Sequence, residues 1–200
     1  MKMIERTTEW IYRLALLNLC WIFFTLLGGV VLGAGPATVA LYGALSDQVQ
    51  GERGSKSLPA LFFQYYKAHF LRGSLLFVAA AGLSALVTLN VYTAFRIEGW
   101  AAGLYLGFVL FLTVLAAVFV FYSFPLLAIG GEGIRRTIMK AYLFAFYAPA
   151  LTLSAFLAAG AVWYMVYVFP VLVFFFAVSA PAAVVTRILL YLQEHLQKRI

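Results

Sequence analysis

The stretch that decides how this chain folds runs from Trp10 to Ser46, WIYRLALLNLCWIFFTLLGGVVLGAGPATVALYGALS. Its first part, to Gly29, is long enough to cross a bilayer, since a spanning helix needs about 20 mostly apolar residues. Its second part, Val30 to Ser46, is apolar but short, and Gly33, Gly35 and Pro36 interrupt it. Taken as a second crossing it closes a helical hairpin. Taken as a half-helix it leaves five spans.

Outward from this stretch lie four more apolar runs: Ser74 to Phe95, Ala101 to Ile129, Met139 to Gly160, and Trp163 to Leu192. Only helices and closed barrels satisfy every backbone polar group in hydrocarbon, so long uninterrupted runs point to helices. The whole chain agrees, with 65% of its 200 residues hydrophobic and 10% charged and a mean hydropathy of +0.99. Soluble domains hold roughly 45–50% apolar residues, so a soluble enzyme and a disordered chain are both excluded. The expected fold is an all-α, polytopic transmembrane bundle in a single domain over residues 1–200.

Lysine and arginine arbitrate between five spans and six, because cytoplasmic loops are enriched in them. With Val30 to Ser46 crossing, Lys2, Arg6, Arg13, Arg53, Lys56, Lys67, Arg72, Arg135, Arg136, Lys140, Arg187, Lys198 and Arg199 share one side, and Arg96 alone faces the other. Without that crossing the same residues divide evenly. Six segments in three hairpins follow, the second segment short and both termini cytoplasmic. The external links are then a Gly-Ala-Gly-Pro turn, Arg96 to Trp100, and an uncharged link near Gly160. Lys2 and Arg6 ahead of an apolar run resemble a secretory leader. The length of the run, Arg13 and Asn18 within it, and Pro36 after Ala34-Gly35 favour a retained first helix.

The connection at 47–73 opens with polar DQVQGERGSKS, where Gly51 and Gly54 disfavour regular structure. Pro59, suited to the first turn of a helix, then introduces an interfacial helix. On its wheel Leu58, Leu61, Phe62, Tyr65 and His69 share one side, and Phe63, Lys67, Phe70 and Leu71 the other. Small residues let membrane helices approach closely. Gly28, Gly33, Gly35, Pro36 and Ala37 suit the first hairpin, and Gly103 and Gly107 form a GxxxG contact within the chain or between two copies. Proline at 125, 149, 170 and 181 frees carbonyls and bends helices, and a kinked last helix is expected.

A search for chemistry finds no mid-membrane ionisable group, no HExxH, no GxSxG and no pair of buried carboxylates. One cysteine, Cys20, makes no intrachain disulfide and no cysteine metal site, and a net charge of +7 without a basic stripe gives no nucleic-acid footprint. The residues point to no enzyme, no cofactor and no metal; basic side chains beside the spans point to membrane lipids as partners. Asn18, two turns into the first helix with Trp21 one turn on, wants a partner across a helix interface. Asn18, Asn90, Ser123 and Ser179 would line the path of a small-solute transporter or channel between kinked helices.

Asn18-Leu19-Cys20-Trp21, Gly28, Gly33-Ala34-Gly35-Pro36-Ala37 and Ala40 resemble the YesL family of bacterial integral membrane proteins. Gly51-Glu52 ahead of Phe62-Phe63 and Phe70, and Tyr122-Ser123-Phe124-Pro125-Leu126-Leu127-Ala128, extend the resemblance. It implies a protein of the bacterial cytoplasmic membrane, without a catalytic residue, associated with carbohydrate ABC importers. An importer subunit would then meet Phe62, Tyr65 and Phe70 on the interfacial helix, or Arg135 and Arg136.

Overall fold

The computed structural model describes residues 2–51, 57–131, 133–147, 149–169 and 172–197, with side chains described there except at 2–6, 151, 166 and 195–197. Every regular element among them is a helix: α1 (Lys2–Leu27), α2 (Val31–Gln50), α3 (Leu58–Ala68), α4 (Phe70–Ala94), α5 (Trp100–Gly130), α6 (Ile134–Tyr147), α7 (Pro149–Val168), α8 (Val173–Phe176) and α9 (Ser179–Gln197). Large apolar side chains such as Leu86, Leu104, Phe108, Phe111 and Leu157 stand exposed. Lipid is the solvent that tolerates such a surface.

α1 and α2 form an antiparallel hairpin. Arg13 meets Gln48, Trp21 meets Thr38, and Gly28 abuts Gly33, so paired residue numbers sum to about the same value along the interface. Three residues turn the chain. Gly29 has φ +73° and Val30 φ +61°, and the Val31 amide donates to Gly29 O at 2.8 Å. That is a γ-turn centred on a β-branched residue, a strained arrangement.

α2 is the central helix, touching α1, α3, α4, α5 and α9. Ala37, Val39, Ala40, Leu41, Ala44 and Leu45 have no exposed surface. Its small residues permit this crowding, because a neighbour's backbone comes close only where no side chain holds it away. Among the described residues four helices, over Thr7–Leu27, Phe70–Ala94, Trp100–Gly130 and Val173–Glu194, are long and apolar enough to cross a membrane, and a bent pair makes up to five. α2 is not among them. Protein rather than lipid covers it, so Pro36, Tyr42, Asp47 and Gln48 are tolerated, and the expected count of six is not reached on length and composition.

Other boundaries also differ from expectation. Met139 to Gly160, read as one span, is two helices, α6 and α7, whose 134–147 and 152–165 parts meet at 100°. Pro149 begins the second of them, where its missing N–H costs nothing. Gly160 lies inside α7, so the uncharged link falls after Val168 rather than near Gly160. α2 continues through Gln50, ending at Gly51 with φ +76°, so Asp47 to Gln50 are helical and not irregular. Arg53, Lys56 and Pro170 lie outside the described residues.

Candidate functional site

Asn18 is 1% exposed, and it explains why the last span is broken. In an unbroken helix the Val178 amide would bond Phe174 O, and the Ser179 amide Phe175 O. Here the Asn18 amide inserts into that ladder. Its Nδ2 donates to Phe174 O at 2.8 Å and Val173 O at 3.2 Å, while its Oδ1 accepts from the Val178 N–H at 3.0 Å and the Ser179 N–H at 3.2 Å. Two donors and two acceptor sites are the whole capacity of an asparagine side chain, and all are used. Ser179 Oγ leans back to Phe175 O at 3.4 Å, and the ladder resumes with the Ala182 amide on Val178 O. Pro181, without an N–H, falls in the first turn of α9. α8 and α9 are therefore two pieces of one span joined through a side chain of α1.

A second clamp joins α2 to α4. Pro36 has no N–H for the carbonyl of Leu32 one turn earlier. Ser74 Oγ of α4 lies 2.7 Å from Leu32 O and 2.8 Å from its own Phe70 O, sharing one proton between them. This needs near contact of the backbones. A Cβ on Gly35 would lie 2.1 Å from Gly73 O, and one on Gly73 would lie 2.8 Å from Pro36 Cα. Beside it the Trp21 indole donates to Thr38 Oγ1 at 3.1 Å, and Thr38 donates to Ala34 O at 2.7 Å. Of the residues expected to pack the first hairpin, Gly28, Gly33 and Gly35 sit where an added Cβ would lie within 3 Å of a neighbour, Pro36 and Ala37 are buried beside them, and Asn18 and Trp21 make the bonds described above.

Gly103 and Gly107 do not. A Cβ on either would meet no atom within 4 Å, and both are exposed on α5, so they make no close helix contact within the chain.

The four residues proposed to line a path do not converge. Asn18 and Ser179 touch. Asn90 donates to Leu86 O and accepts from the Tyr105 hydroxyl at 2.9 Å, tying α4 to α5 near their far end. Ser123 is fully buried in α5, its Oγ without a hydrogen-bond partner.

Of the expected partner surface, Phe62 and Tyr65 on α3 face the protein, and Phe70 opens α4. Phe62 is fully buried, its ring stacked on Phe24 at 5.3 Å. Tyr65 lies over Gly43 and donates to Asp47 Oδ1 at 3.0 Å. These rings fasten α3 to the first hairpin, as does Tyr66 against Phe24. Phe70 remains exposed, and so do Phe63 and Lys67 on the outer side. Burial, with Arg72 nearby, pushes the His69 imidazole below its ordinary range. Arg135 and Arg136 are exposed at the start of α6.

One end of the bundle gathers the ends of α1, α2 and α9. Arg13 bonds Glu9 and Gln48, and the Arg187 guanidinium lies 5.0 Å over the Trp10 ring. With Glu194 these groups line an open polar cavity of about 780 Å³. Among the described residues no cluster of three His, Cys, Asp or Glu could hold a metal ion.

Sequence reasoning singled out Asn18 but not its partners, which lie more than 150 positions away as main-chain atoms. Ser74 and Thr38 were missed altogether. A signal existed for Ser74, since every helix-interior proline leaves a carbonyl in need of a donor.

A family described as "Protein of unknown function, DUF624" matches residues 14–91, the segment from α1 to α4 that holds both clamps on its side of the fold. The chain is similar to three proteins of Bacillus subtilis (strain 168). It is 30% identical to "Uncharacterized protein YteU" over 196 residues, 95% of this chain and 86% of that protein. It is 29% identical to "Uncharacterized protein YesV" over 84% of this chain and 80% of that one, and 28% identical to "Uncharacterized protein YesL" over 76% and 70%. No solved structure matches.

Proposed function

Since the chain belongs to the DUF624 family of YesL-like proteins, with apolar helices fit to cross a membrane, we propose that it is a non-enzymatic, partner-binding component of the bacterial cytoplasmic membrane, accessory to carbohydrate uptake by an ABC-type importer. The observation that carries this reading is α3. Its inner side is fixed to Phe24 and Gly43, while Phe63, half exposed beside Phe24, and Lys67 stand on the outer side of a helix outside every candidate span, and Phe70 is exposed just beyond it at the start of α4. An aromatic and basic face on a rigid base, beside the headgroup layer, suits a partner helix or loop. The deeper polar groups support it too: the Asn18 amide is saturated by main chain and has no bond left for a solute.

Both termini are assigned to the cytoplasm. The ends of α1 and α9 meet where Arg187 covers Trp10, in keeping with the basic residues near both. Gly103 and Gly107, exposed and with open space where a Cβ would stand among the described residues, are available to a second copy.

The competing function is a small-solute transporter or channel, favoured by one feature, the discontinuous last span, since broken helices build many transport sites. Purified protein in liposomes, and affinity purification from native membranes, separate the two. The accessory reading expects importer subunits to co-purify and to be lost with Phe63→Ala/Phe70→Ala. Specific solute flux by the protein alone, with no importer subunit retained, would overturn it.

A further inference from the structure

We propose that the elbow between α6 and α7 binds one anionic phospholipid, an acyl chain lying in the elbow's cavity and the phosphate held by Arg135 and Arg136. The cavity, about 560 Å³, is walled by α5, α6 and α7, with Leu115, Val118, Tyr142, Phe146, Pro149 and Phe156 in its lining. That is within the size range of ligand sites. Its polar groups are already paired with one another. The Tyr142 hydroxyl donates to Leu115 O at 3.3 Å, and the Tyr122 hydroxyl donates to Thr152 Oγ1 at 2.9 Å. The remaining wall is hydrocarbon, which suits a fatty chain and not a polar solute.

What selects the head is the charge pattern of α6. Its sequence, IRRTIMKAYLFAFY, holds three basic residues and no acid. On α6, Arg135, Met139, Tyr142 and Phe146 follow one another at helical spacing on a single stripe whose Tyr142 and Phe146 line the cavity, so that side of the helix carries a guanidinium two turns up from Tyr142, about 10 Å along the axis. Arg136 stands beside it, exposed. That separation matches the step from the acyl boundary into a headgroup layer several ångströms deep. The N-terminal end of α6 adds its dipole to the same positive field. An apolar groove by itself would take any lipid; here two exposed arginines stand on α6 beyond the groove's lining.

Full-length protein in mild detergent is titrated with dioleoylphosphatidylglycerol and with dioleoylphosphatidylcholine, binding being read by native mass spectrometry. The chains are identical and only the head charge differs. At about 1 kcal/mol per arginine, the anionic lipid is expected to bind about thirtyfold tighter. Arg135→Gln/Arg136→Gln removes that preference, and Arg96→Gln at the far end of α4 leaves it. Ala117→Phe, or Leu153→Trp should the first fail to fold, fills the cavity and weakens both lipids while the ratio between them stays. Glycerophosphoglycerol and inorganic phosphate, which have the head chemistry without the chain, are expected not to compete. Equal binding of the two lipids, a preference that survives the double arginine variant, or competition by the chain-free anions would each overturn the site.

Discussion

Replacing Asn18 by leucine removes the amide but keeps most of its volume, and the cost follows from four bonds. Hydrogen bonds between membrane helices are worth about 0.6–2 kcal/mol each, which sets the gross loss at roughly 2–8 kcal/mol on additive bookkeeping. Part returns. With the amide gone, the Val178 N–H is free to rejoin Phe174 O and the Ser179 N–H to rejoin Phe175 O, which lengthens α8 into α9. Leucine at a 1% exposed site must also fit between helices that pack around a flat amide, at a cost of about 1–3 kcal/mol if it overfills the space. The net expectation is a loss of about 2–4 kcal/mol, a factor of roughly thirty to a thousand in the folding equilibrium. Unfolding by sodium dodecyl sulfate, followed by tryptophan fluorescence in mixed micelles, reads this directly. Asn18→Asp retains the acceptor and discards both donors, so it should also destabilise. If Asn18→Leu matched the parent within about 0.5 kcal/mol, the scatter expected of neutral substitutions, the inserted amide would not be what holds the broken span.

Gly35→Ala should cost about 1–3 kcal/mol because its Cβ lands on the Gly73 carbonyl, whereas Gly103→Ala and Gly107→Ala, opening onto free space, should stabilise by up to about 1 kcal/mol in helix propensity; the same detergent titration compares them. Val30→Gly relieves a positive φ and should raise stability by about 1 kcal/mol. The imidazole of His69 titrates lower in the fold than its ordinary 6.5, so the unfolded chain binds its proton first. Its stability contribution is whole above pH 6.5 and is lost as pH falls through the lowered value. His69→Gln should flatten stability against pH in that window, seen by melting the parent and variant side by side.

The gross character of the fold was legible because it rests on local signals. Apolar runs placed α4 and α5 to within a few residues, Pro59 marked the start of α3, and the wheel that put Phe62 and Tyr65 opposite Phe63 and Lys67 describes α3's buried and exposed sides. Reading Phe62 and Tyr65 as a partner surface failed for a physical reason: an amphipathic helix announces that one side is covered, not whether its own chain or another covers it. α2 misled in a related way, since hydropathy measures fitness for lipid and a helix enclosed by five others needs little of it. The Asn18 junction was half legible. An amide deep in an apolar helix demands partners, and Pro181 signals a weakened ladder, but nothing local states that one answers the other. Gly160 looked like a link because glycine often ends helices. Nothing in α7 required a left-handed turn there, and the helix runs through it.

Hydrogen–deuterium exchange of the 173–182 peptide, with α2 residues 36–45 as internal reference, reads whether the Asn18 amide bridges the two pieces of the last span. The Val178 and Ser179 amides, bonded to Asn18 Oδ1, are expected to be protected in the parent protein. In Asn18→Leu they should exchange about thirtyfold or more faster, equivalent to about 2 kcal/mol, while α2 keeps a larger share of its protection. Free exchange at 178 and 179 in the parent, or protection unchanged by the substitution, would contradict it.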